Sequence, residues 1–158
     1  MVTVKTLLTI AVSKNWHLVQ LDVNNAFLHG DFFEEVYMGL PLGYKSNTTI
    51  QGERMVCKLH KSIYGLKQAS RQWFAKFSQF LISLGFQQEK ADYSQFIKGQ
   101  GTTFIALLVY VDDIIITGAN VGLIRGLQAV LNRQFLLKDL GSLTFFLAYH
   151  KGIMLYVC

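Results

Sequence analysis

Two apolar runs split by a pair of carboxylates constrain this chain more than any other feature. Thr103-Phe-Ile-Ala-Leu-Leu-Val-Tyr110 leads into Val111-Asp112-Asp113, and Ile114-Ile-Ile-Thr117 follows. Both runs are rich in β-branched and aromatic residues and free of Pro, so each reads as a buried strand. Adjacent negative charges inside such a segment are costly unless something positive compensates them. A divalent cation with oxygen ligands is one such partner. Asp-Asp also turns hairpins for its own hydrogen-bonding reasons. The spacing by itself leaves both readings open.

The rest of the chain sets the frame. Its 158 residues suit one domain, and a hydrophobic content of 51% is enough to bury a core. The longest uncharged apolar run, Thr102 to Val111, is too short to cross a bilayer, so no membrane role is expected. Lys5 and Lys14 bracket a short amphipathic pattern rather than a signal peptide. Cys57 and Cys158 are too few for a disulfide framework or a zinc site, which makes a reducing compartment the default. Net charge is +5, and much of the basic charge falls at Arg54, Lys58, His60, Lys61, Lys67, Arg71 and Lys76. Tyr64, Trp73, Phe74 and Phe77 interleave with it. That mixture suits a phosphate backbone with bases to stack on, or equally a solvated face on an ordinary domain.

Periodicity predicts helices over Val4–Val12, Gln68–Leu84 and Val121–Phe135, with Gly85 stopping the second. In the third, Leu123, Leu127, Val130, Leu131 and Phe135 are expected to face inward. Strands are expected at His17–Val23, Met55–Leu59, Phe96–Lys98, Thr103–Tyr110 and Ile114–Thr117. Asn24–Gly30 reads as a short helix or turn and Met38–Gly52 as the longest loop. Leu143–Ala148 and Ile153–Val157 would close the chain as a hairpin. The order predicts an α+β fold, an antiparallel sheet with helices packed on one face. Asp22, alone between Leu21 and Val23, is a second costly charge in an apolar strand. If Asp22 and Asp112 converge, they have the chemistry to hold two Mg²⁺ ions about 3.5–4 Å apart for an in-line phosphoryl or nucleotidyl displacement. Asp113 can join them only if a turn breaks the strand's alternation.

These residues carry a resemblance. Leu21-Asp-Val-Asn-Asn-Ala-Phe-Leu-His-Gly30, Glu35-Val-Tyr-Met38, Val56-Cys-Lys-Leu59 and Ser62-Ile-Tyr-Gly-Leu-Lys-Gln-Ala69 stand in order, with Arg71 and Trp73. Lys90-Ala-Asp-Tyr-Ser94, Leu108-Val-Tyr-Val-Asp-Asp-Ile-Ile-Ile-Thr-Gly118 and Lys138-Asp-Leu-Gly141 complete the series. The chain resembles a copia-type retrotransposon reverse transcriptase from its start to about Leu147, with 148–158 divergent. The resemblance implies a right-hand polymerase palm with partial fingers, residues 1–158 forming a fragment of a Gag-Pol polyprotein.

It also implies roles. Asp22, Asp112 and Asp113 would be the polymerase aspartates, holding two Mg²⁺ ions with Mn²⁺ as an alternative. The backbone near Val23 would meet the incoming dNTP. Phe27 would gate against a ribose 2′-hydroxyl, or else be a core ring. Tyr64, Gly65 and Lys67 would line the nascent base pair and template, and Lys58, Lys61 and Arg71 would meet phosphates or solvent. Asp92 is expected to cap a turn. The implied partners are an RNA template, a DNA or tRNA primer, dNTPs, and the integrase and RNase H of the polyprotein. The implied location is the cytoplasm, in virus-like particles, or the nucleus, and not outside the cell.

The chain departs from that pattern in places. Ser70 stands where the family has Pro, Pro41-Leu-Gly-Tyr44 replaces Pro-Pro-Gly-Phe, and Ala148-Tyr-His-Lys151 replaces a Gly-Ile-Glu-like run at the primer grip. Thumb, connection and the leading fingers segment are expected to lie outside the chain. The rival expectation is a truncated, inactive remnant that binds nucleic acid weakly.

Overall fold

The computed structural model describes residues 2–29, 34–44, 55–142, 145–146 and 155–156. Its helices are α1 (Val2–Ser13), α2 (Ala69–Ser83) and α3 (Val121–Phe135). Its strands are β1 (His17–Val23), β2 (Val36–Gly39), β3 (Val56–Leu59), β4 (Gln87–Gln88) and β5 (Gln95–Lys98). They continue as β6 (Ile105–Tyr110), β7 (Asp113–Gly118), β8 (Leu137–Ser142), β9 (Phe145–Phe146) and β10 (Leu155–Tyr156). The chain divides into two compact units, one of residues 1–26 with 77–158 and one of residues 27–76.

The first unit is built on an antiparallel six-stranded sheet in the order β4-β5-β6-β7-β1-β8. In β6 the burial is nearly continuous rather than alternating. A strand buried on both sides needs cover on both sides. On one face Val4, Leu7 and Leu8 of α1 pack with Ala106, Leu108 and Ile115, joined by Leu18, Phe104 and Tyr110. By strand alternation Leu107, Val109, Ile114 and Ile116 point the other way, and they are buried too. There α3 runs against β7 and β8, and Phe135 meets the rings of Phe77 and Phe80 at 5.1 and 5.2 Å. The antiparallel α+β architecture is as expected, but helices on one face only is corrected. The apolar runs lack alternation because neither side of the central strands meets water.

Local chemistry sets the helix ends. The Asn120 side chain accepts from the Gly122 and Leu123 amides and starts α3, satisfying donors that have no partner inside the helix. After α2, Gly85 adopts φ +84° and its amide donates to the Ile82 carbonyl, as the sequence predicts. In α3 Leu131 and Phe135 are buried as expected, but Leu123 and Val130 are exposed and Ile124 takes the inward position instead. Two further corrections concern strands. Thr103 belongs to a short 3-10 turn, so β6 starts at Ile105. Strand β8 forms from the polar run Leu137-Lys-Asp-Leu-Gly-Ser142, whose composition gives little β signal. It pairs with β1 through a register irregularity between Val19 and Leu21. Of the expected closing hairpin, Phe145–Phe146 pairs with Leu155–Tyr156, and its other residues lie outside the described residues.

In the second unit, β2 and β3 form their own antiparallel ribbon. Val36–Gly39 is a strand, so the expected loop from Met38 begins later; residues 45–54 lie outside the described residues. Among the described residues no helix is long and apolar enough to cross a membrane.

Candidate active site

Strand β1 runs antiparallel to β7 with Leu21 opposite Ile114 and Asp22 opposite Asp113. On the other side of β7, Tyr110 is opposite Asp113, and on the other side of β1, Lys138 is opposite Asp22. Directly paired residues point to the same face of a sheet. Tyr110, Asp113, Asp22 and Lys138 therefore form one row across four strands. Leu21 and Ile114, one residue away, are buried on the opposite face.

The turn between β6 and β7 brings in the third carboxylate. Since Tyr110 pairs with Asp113, the loop is two residues long, Val111 and Asp112. Such tight hairpins need a residue with positive φ, and Val111 supplies it at φ +57°. For a β-branched residue this conformation is a genuine outlier, of order 1–3 kcal/mol. The alternation is thus broken where the sequence required it to be. The Val23 amide donates to the Asp112 carbonyl at 3.0 Å, fastening the turn to the end of β1.

The electrostatics follow from this placement. Asp22 and Asp113 are half-buried and Asp112 is exposed. Burial pushes the Asp113 carboxyl above the usual range, the Gln20 amide works against it, and the charges of Asp112 and Asp22 add to the rise. Gln20 Nε2 donates to Asp113 Oδ1 at 3.1 Å. Among the described residues no Lys or Arg forms an ion pair with these aspartates; the ion pair there joins Lys58 and Glu35. Lys138 shares the row without a bond to Asp22.

Among the described residues, no three His, Cys, Asp or Glu side chains lie close enough to enclose a metal ion. Mg²⁺ does not require such a cage, because it binds through one or two carboxylates together with substrate phosphates and waters. Hard oxygens in register, mutually repelling and without a fixed cation, fit that donor chemistry.

Phe27, Lys58, Tyr64, Gly65, Lys67 and Arg71 lie in the second unit and Asp92 in the first. Phe27 and Tyr64 are brought together, ring centroids 5.7 Å apart and tilted by 50°. Tyr64 is 87% exposed, whereas Trp73 and Phe77 are fully buried core rings. Gly65 adopts φ +96° directly after Tyr64. Lys67 and Arg71 are exposed. Lys58 is bound to Glu35 and lies over the Tyr37 ring, so it is already engaged. Asp92 caps its turn, accepting from the Ser94 amide at 3.0 Å and hydroxyl at 2.6 Å. Sequence reasoning missed Gln20 and assigned Lys138 no place. The signal for Gln20 was its position two residues before Asp22, on the same side of the strand. The row position of Lys138 needed the β1–β8 register.

Residues 1–153 match the family described as reverse transcriptase (RNA-dependent DNA polymerase). The chain is 45% identical over 143 residues to the retrovirus-related Pol polyprotein from transposon TNT 1-94 of Nicotiana tabacum, covering 89% of this chain and 10% of that protein. It is 40% identical over 147 residues to the retrovirus-related Pol polyprotein from transposon RE1 of Arabidopsis thaliana, covering 92% of this chain and 10% of that protein. The Transposon Ty1-BL Gag-Pol polyprotein of Saccharomyces cerevisiae is 30% identical over 115 residues, 73% of this chain and 6% of that protein. The chain therefore spans about a tenth or less of the length of these relatives. No solved structure matches.

Proposed function

Because the chain belongs to the reverse transcriptase (RNA-dependent DNA polymerase) family and is similar to retrovirus-related Pol polyproteins of transposons, we propose that it supplies the catalytic palm of such a polymerase. The unit of residues 1–26 with 77–158 is the palm in this reading, and residues 27–76 are its part of the fingers. The observation that carries it is the register of Asp22 against Asp113 beside a strained turn presenting Asp112.

In this reading Asp22, Asp112 and Asp113 are the residues that would hold Mg²⁺. Bound there, Mg²⁺ would lower the pKa of the primer 3′-hydroxyl and neutralise charge on the leaving pyrophosphate. The row orients the carboxylates from rigid strands, so they need little rearrangement when substrate arrives. The Val23 amide is committed to Asp112, so the triphosphate contact near it falls to the backbone of Asn24 and Asn25. Phe27, packed against Tyr64, is the sugar gate. Tyr64 and Gly65 meet the nascent base pair, while Lys67 and Arg71 meet template phosphates. The partners are an RNA template, a DNA or tRNA primer, dNTPs, and the rest of a Gag-Pol polyprotein, in a particle inside the cell.

The test is primer extension on a primed RNA template by the full polymerase carrying this chain. Asp112→Asn is expected to abolish extension, and Asp92→Asn, in a turn cap, to leave it near wild type. Equal tolerance of both substitutions would sink the reading.

A further inference from the structure

Gln20 lies on the same side of β1 as Asp22, two residues before it, and its own cross-strand partner is Ile115. From there its amide reaches diagonally to Asp113, Nε2 to Oδ1 at 3.1 Å. Diagonal neighbours across an antiparallel pair are within reach of a long side chain. Both groups are half-buried, so the bond is sheltered from competing water.

The chemistry of the donor matters. A Lys or Arg at this position would hold Asp113 and also neutralise it, competing with any cation for the same oxygens. An amide orients the carboxylate and adds no charge. It also engages one carboxylate oxygen, Oδ1, and leaves the other for a further partner. Carboxylates near metals are commonly fixed by hydrogen bonds of this kind, and loss of such a partner costs about 10–100-fold in metal affinity or activity.

We infer that Gln20 is a positioning residue: it holds Asp113 with one oxygen engaged and one free, so that the acid row keeps its full negative charge and a fixed geometry. This rests on the polymerase reading above, and it assigns Gln20 no contact with substrate.

The test uses the full polymerase with Gln20→Met, which keeps the length and loses the donor, and Gln20→Lys, which keeps a donor and adds a charge. Mn²⁺ is the probe, its bound fraction read by electron paramagnetic resonance, alongside kcat and KM for dNTP and melting without metal. Gln20→Met is expected to weaken Mn²⁺ binding about tenfold and to lower kcat more than it raises KM. Its metal-free melting temperature should stay within a few degrees of wild type. Gln20→Lys should melt no lower than wild type and bind Mn²⁺ more weakly still. Wild-type Mn²⁺ binding in either variant overturns the inference, as does a loss that only tracks a fall in melting temperature. A wild-type enzyme that neither binds Mn²⁺ nor extends primers would overturn the polymerase reading instead.

Discussion

Asp22 and Asp113 stand directly opposite one another across β1 and β7, on one face of the sheet and with no cation fixed between them among the described residues. Like charges placed opposite each other in a sheet are destabilising. The fold keeps this arrangement at the end of two strands whose neighbouring residues Leu21, Val23, Ile114, Ile115 and Ile116 are buried. Apolar packing of the strands holds the carboxylates in place against their own repulsion.

That repulsion is measurable in the metal-free chain. Asp113 titrates above the usual carboxylate range through burial and the charges of Asp112 and Asp22. A carboxyl whose pKa is raised by folding binds its proton more tightly in the folded state, so stability falls as pH rises through the window between its unfolded and folded values. Asp113→Asn keeps an acceptor for Gln20 and removes the charge. It should raise the melting temperature at neutral pH in a chelator, and the gain should vanish below the ordinary carboxylate range. Because the group is half-exposed, solvent screening holds the gain below about 1 kcal/mol. A pH-independent gain would rule out this electrostatic account.

Divalent cations should have the opposite effect from the mutual repulsion. A ligand that binds only the folded state stabilises it by about 2.7 kcal/mol at a hundred times its Kd. Mg²⁺ should therefore raise the melting temperature of the wild-type chain and a chelator should reverse the change. Asp22→Asn and Asp112→Asn should each remove most of the Mg²⁺ response; a response unchanged in both variants would place the cation elsewhere.

Val111 offers a separate handle on the turn. Its side chain is 44% exposed and its φ is +57°, so Gly there gives up little packing and relieves the steric cost of the left-handed region. Against this stands Gly's greater chain entropy in the unfolded state, up to about 1 kcal/mol. Val111→Gly is expected to leave stability equal or improved by no more than about 1 kcal/mol. The looser turn should lower the rate of primer extension. Chemical denaturation checks the first outcome and single-turnover extension the second.

Phe27 packs against the Tyr64 ring within the unit of residues 27–76. If it gates the sugar, Phe27→Ala should raise rNTP over dNTP incorporation at least about tenfold, equivalent to roughly 1.4 kcal/mol of discrimination. Unchanged sugar selectivity with a lowered melting temperature would identify Phe27 as a packing residue only.

Much of this could be read from local pattern. The bounds of α3 were legible because Asn120 caps its start and its apolar spacing is regular. The stop of α2 was legible because Gly85 takes a conformation other residues resist. Strand β8 was not legible, since Lys138, Asp139 and Gly141 are poor strand formers recruited by pairing with β1. The stripe of α3 was read correctly at Leu131 and Phe135 but not at Leu123 and Val130, which are apolar yet exposed, because hydrophobicity alone does not say which apolar side chain finds a partner.

The sequence by itself determined the helices, the apolar strands, the two anomalous charges in apolar surroundings and the family to which their motifs belong. Only the tertiary structure decided which residues those charges meet. It set Asp22 against Asp113 and Lys138, drew Gln20 to Asp113, and exposed Asp112 at a strained turn. The reason is register. Periodicity is a local property of a chain, whereas register depends on pairing between distant segments, and a slip of one residue would send every side chain of β1 to the other face. Asp22 reaches the acid row because Leu21 and Val23, its two neighbours, must be buried on the opposite side.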